Sequence, residues 1–73
     1  MKKIQFEGMT DSQLEGERAT LLFDCAHKIG VLYDGPTNYE FISEHVEAIR
    51  LQLKQIHIID VIRAVRKELE NKQ

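Results

Sequence analysis

The chain has 73 residues, 42% of them hydrophobic and 30% charged, with a formal net charge of −2. That composition excludes a disordered chain and fits one small domain, near the lower limit at which a single core is stable. Residues 7–47 hold nine acids against Arg18 and Lys28, whereas residues 48–73 hold six bases against Asp60, Glu68 and Glu70, and the acidic block argues against binding nucleic acid over the whole surface.

The N-terminal residues 1–9 read as an arm. Lys2 and Lys3 precede Ile-Gln-Phe-Glu-Gly, not the apolar run of a signal peptide. Ile4 and Phe6 alternate with polar neighbours, which predicts a short extended segment packed on helices. The first helix is expected over residues 10–33. Thr10 and Gln13 have the spacing of a capping box, and Met9 with Leu14 that of a hydrophobic staple. Leu14, Leu21, Leu22, Cys25, Ala26, Ile29 and Tyr33 form one broad apolar face. Residues 34–37, Asp-Gly-Pro-Thr, are turn formers, and a connection this short sets two helices antiparallel.

The second helix is expected over residues 38–71, a stretch without Gly or Pro. Thr37 and Glu40 offer a second capping box. The apolar pattern changes sides within it. On a helical wheel Val46, Ile49, Leu53 and Ile56 fall within about 40° of Ile42, and Ile58, Ile62, Val65 and Leu69 cluster about 160° from it. The segment is therefore one long helix, straight or kinked, that buries opposite faces in its two halves, or two helices broken near 56–60 with Asp60 as a second N-cap. The continuous or kinked form is favoured, because no Gly or Pro supports a break. The fold class expected is all-α: an antiparallel helical hairpin with a short extended N-terminal arm, oligomerising through its long C-terminal helix.

A first helix of about 20 residues is expected to run out near Ile56 on its partner. Beyond that point Ile58, Ile62, Val65 and Leu69 would have little cover besides Ile4 and Phe6. They are the expected interface of a homo-oligomer, most simply a two-fold dimer. The competing arrangement folds residues 61–71 back as a third helix in a monomer.

Catalytic and metal chemistry finds no support in the residue pattern. Cys25 and His27 lie two apart and point to different sides of a helix; His45 stands alone, and His57 with Asp60 lacks further ligands. Asp24 beside Cys25 opposes thiolate formation. Glu40, Glu44 and Glu47 read as a solvated acidic face, and no phosphate-binding loop is present. The expectation is a non-enzyme with no catalytic, cofactor or metal residues. Arg63, Arg66 and Lys67 could contact an anionic partner. One cysteine and no apolar run of about 18 residues fit a soluble, cytoplasmic protein without membrane contact.

In size, charge division and lack of a catalytic motif the chain resembles small accessory regulators such as phages and mobile elements carry. The leading expectation is a self-associating interaction protein that binds or inhibits a macromolecular partner, expected to be a protein. The alternatives are a nucleic-acid-binding regulator using the basic C-terminal helix, or an oligomer holding a small anionic ligand such as a nucleotide.

Overall fold

The computed structural model describes residues 6–71, which form two helices, α1 (Asp11–Asp34) and α2 (Tyr39–Asn71). The helices pack antiparallel as a hairpin. Asp24 meets Gln52, Arg18 meets Asp60 and Asp11 meets Arg66, so each step back along α1 is matched by a step forward along α2. The molecule measures 53 × 26 × 16 Å. Since one helix with its side chains is about 10–12 Å thick, the shortest dimension holds a single layer of helices.

The start of α1 forms as its residues predict. The Thr10 hydroxyl accepts from the Gln13 N–H at 3.1 Å, and the Gln13 side chain accepts from the Thr10 N–H at 2.9 Å. The start of α2 differs by one residue. Asn38, not Thr37, is the cap: its Oδ1 accepts from the N–H groups of Glu40 at 2.7 Å and Phe41 at 3.4 Å. Asn caps a helix at least as well as Thr and is a poor residue inside one, so beginning after Asn38 serves both preferences. Gly35 is required in the turn. A Cβ there would come within 2.5 Å of the Val31 carbonyl oxygen and 3.1 Å of the Phe41 ring.

Residues 6–8 are not extended. They form a turn closed by the Met9 N–H donating to the Phe6 carbonyl at 3.2 Å, which carries the Phe6 ring back into the hairpin. The rest of the arm, Ile4 included, lies outside the described residues. No break interrupts α2 near 56–60, and among the described residues no third helix folds back from residue 61; the helix is continuous from Tyr39 to Asn71. Asp60 caps nothing and instead receives Arg18.

The expected length of α1 is also corrected. Both helices rise by the same amount per residue, so the 24 residues of α1 cover an equal length of α2. The partner of α1 therefore extends well past Ile56, and the long Arg66 side chain still reaches Asp11 at the start of α1.

The seam between the helices follows a three-four spacing. On α1 it runs through Leu14, Arg18, Leu21, Cys25, Lys28 and Leu32, and on α2 through Phe41, His45, Ala48, Gln52, Gln55, Ile59, Ile62 and Arg66; all are buried or half-buried. The core of the described residues consists of Phe6, Leu14, Leu21, Cys25, Ile56 and Ile59, with Met9, Ile49, Ile58 and Ile62 packed against it. These six buried residues lie at the open end and middle of the hairpin, away from the turn. Between residues 26 and 55 no residue is buried.

Candidate functional site

The turn-proximal half of the hairpin concentrates the surface of interest. Its seam is largely polar or small, with His45, Ala48 and Gln52 on α2 facing Lys28 and Leu32 on α1. Apart from Leu32, its large aliphatic side chains stand beside the seam and not in it. Relative to the seam, Leu22, Ile29 and Tyr33 of α1 lie about 100° around that helix, and Ile42, Val46 and Leu53 lie about 100° around α2 in the same sense. In two antiparallel helices, equal rotations from the seam bring residues to the same broad face. All six are exposed, from 37% for Ile42 to 86% for Tyr33. Ala26 and half-buried Ile49 complete the same panel.

The panel ends where Arg18 and Asp60 bridge the helices, with Nε to Oδ1 at 2.7 Å. That pairing raises the Arg18 guanidinium further above its ordinary value, chiefly through the hydrogen bond to Asp60. Beyond the pair the same face becomes charged. A cleft of about 380 Å³ is lined by Asp11, Asp60, Arg63, Ala64, Lys67 and Glu70. Acids and bases alternate there, so it offers no concentrated site for an anion.

The residues expected at an oligomer interface are divided. Ile58 and Ile62 are half-buried and pack against the hairpin's own core, while Val65 and Leu69 are exposed. Val65 borders a groove with Glu7, Val61, Ile62 and Arg66, on the opposite broad face from the panel. Of the three basic residues expected to meet an anionic partner, Arg66 is engaged within the chain. Its Nη1 donates to Asp11 at 2.8 Å and its Nη2 to the Glu7 carbonyl at 3.0 Å. Arg63 and Lys67 remain beside Asp60 and Glu70 in the mixed cleft.

A polar cluster fixes the register of the seam. Asp24 accepts from Lys28 Nζ at 2.6 Å and from Gln52 Nε2, while the Gln52 Oε1 receives Lys28 Nζ at 3.2 Å and lies 3.4 Å from Cys25 Sγ. A slip of one helical turn would part Asp24 and Lys28 from Gln52 and leave half-buried polar groups without these partners. The hydrogen bond from Lys28, then that from Gln52, holds the Asp24 carboxyl below its ordinary value of 3.8. A carboxylate depressed on folding contributes stability above its unfolded value and loses it as pH falls through the folded one. Asp24→Asn should therefore unfold with a weaker dependence on pH below about 4 than the wild type. Urea midpoints at pH 6 and pH 3 measure this; equal pH dependence in the two proteins would remove Asp24 from the acid response.

Cys25 is buried, and His45 contacts the Phe41 ring and carbonyl. Among the described residues no group of three or more His, Cys, Asp or Glu side chains is placed to hold a metal ion, and no helix is long and apolar enough to cross a membrane. The apolar stripes alone do not mark the panel beside the seam as an exposed surface. The signal for it lies in the breadth of the α1 face, which is wider than one partner helix can cover. No family model matches the chain, and no curated protein or solved structure matches it.

Proposed function

We propose that this chain is a non-enzymatic interaction protein that self-associates and, as an assembly, binds or inhibits a macromolecular partner. The observation that carries this reading is the lack of any buried residue between 26 and 55, in a segment that includes Leu32, Ile42, Val46, Ile49 and Leu53. Two helices in one layer cannot enclose these side chains, and helices of this length draw most of their stability from packing an apolar face. A second layer supplies that packing.

Light scattering at micromolar concentration tests the proposal. A homo-oligomer is expected, with a thermal midpoint that rises with protein concentration. A monomer that stays fully helical on dilution would refute self-association.

The reading as a nucleic-acid-binding regulator has less support. Arg66 is held by Asp11 and the Glu7 carbonyl, and Arg63 and Lys67 share their cleft with three acids. Binding of a small anion has the same difficulty on a single chain.

A further inference from the structure

We propose that the occupant of the turn-proximal panel is the same panel of a second copy, and that the two hairpins pack face to face with their turns at opposite ends. This rests on the self-association proposed above and adds which face is used and in which direction.

The choice of face follows from where apolar surface is left uncovered. Leu22, Ile29, Tyr33, Ile42, Val46 and Leu53 make one unbroken panel across both helices. The opposite face carries Val31 of α1 and a stripe of Leu51, Ile58, Val61 and Val65 on α2; within it Val31 is half-buried and Ile58 already packs on the hairpin's core. Two panels together cover on the order of 1,200 Å², the lower end of what a stable interface buries. Each helix then has two neighbours, one through the seam and one through the panel. That is the arrangement a four-helix bundle requires, and it accounts for apolar positions beside the seam as well as in it.

The direction follows from the charges. A two-fold axis along the hairpins would place both turns at one end and press the two charged halves together. Arg18, Asp60, Arg63 and Lys67 would then lose water on both copies, which is unfavourable unless every charge is paired. An axis across the middle of the panel, near Ile29, overlaps only the turn-proximal halves. The charged halves then project past each other's turns into solvent. Residues 29–47 contain Asp34, Glu40, Glu44 and Glu47 and neither Lys nor Arg. The crossed arrangement keeps the two acidic turn ends apart, whereas the parallel one sets acidic end beside acidic end. The panels are isologous in either case, as a closed dimer needs.

Ile29 lies close to its own copy only in the crossed arrangement, α1 over α1; with parallel hairpins it faces the partner's α2. The decisive experiment places Ile29→Cys in a Cys25→Ala background and oxidises the full-length protein, alongside light scattering and circular dichroism of Val46→Glu and Val65→Glu. The expected results are a disulfide-linked dimer for the Ile29→Cys variant, a helical monomer for Val46→Glu, and a retained dimer for Val65→Glu. A wild-type monomer would overturn both this inference and the self-association beneath it. A wild-type dimer that survives Val46→Glu but is split by Val65→Glu would overturn the choice of face and leave self-association standing. A dimer split by Val46→Glu, with an Ile29→Cys variant that fails to cross-link, would overturn the direction. Should Val46→Glu lose its helical signal, the cross-link alone decides.

Discussion

Ile59→Ala should lower stability by about 2–5 kcal/mol, enough to unfold much of the protein at room temperature. Ile59 and Leu14 are the two side chains with no exposed surface among the described residues. Ile59 lies on the seam of α2, within the cluster formed by Leu21, Ile56 and Phe6. Truncating it removes buried methyl groups and leaves a void that neighbours on rigid helices fill poorly. In a domain this small a single core rarely supplies more than about 3–5 kcal/mol, so the loss is comparable with the whole. The neighbouring His57 is exposed, and His57→Ala should stay within about 0.5 kcal/mol of wild type. Urea midpoints at one fixed protein concentration measure both, because self-association would otherwise shift the comparison. Equal midpoints for Ile59→Ala and His57→Ala would mean that the seam does not run through Ile59.

What could be read from the residues depended on how local the signal was. The cap of α1 was legible because Thr10 and Gln13 settle it between themselves. The cap of α2 was legible only to within a residue, because Thr37 and Asn38 are both competent and the choice turns on where Asn is less costly. The helical hairpin itself followed from the turn residues and the lack of Gly or Pro after Pro36. The seam did not follow from apolar periodicity. Its α2 half passes through His45, Ala48, Gln52 and Gln55, while Ile42, Val46 and Leu53 stand about 100° away. A wheel that assigns every apolar stripe to the hairpin's own core points to the wrong line when the stripe lies against a second layer. The change of side near Ile56–Ile59 was visible as a fault in the pattern. It marks the place where the hairpin's own core begins, and not a break in the helix: Ile56 and Ile59 are buried on a continuous α2. The reach of α1 was underestimated because its pairing was counted over about 20 residues, whereas Asp11 at its start still meets Arg66. That Phe6 packs on the helices was legible, but the turn at residues 6–8 that delivers it was not, since alternation disguised it as an extended arm; nor was Arg66 against Asp11, a pair of distant side chains brought together by the register of the two helices.

That turn carries the second large effect. Phe6→Ala should lower stability by about 3–5 kcal/mol, although the residue precedes both helices and has none of their hydrogen bonding to lose. Phe6 is 3% exposed. Its ring is set by the Met9 N–H bond to its own carbonyl, and the chain just after it is pinned by Arg66 on the Glu7 carbonyl and Asp11 carboxylate. The ring therefore closes the open end of the hairpin, where the single layer of helices leaves Leu14 and Ile59 otherwise accessible. Its area is large for one side chain, and an aromatic ring at the end of a small core excludes water from several aliphatic neighbours at once. Arg66→Ala separates the contribution of the ring from that of its fastening. The Arg66 pair with Asp11 is substantially solvated, the Asp11 side chain being 61% exposed, so its removal should cost no more than about 1 kcal/mol. Thermal unfolding followed by circular dichroism then gives three ordered midpoints, with wild type highest, Arg66→Ala slightly lower and Phe6→Ala far lower or without a transition. A Phe6→Ala protein that melts with the wild type would show that the core is complete without the arm and that the two helices alone hold the fold.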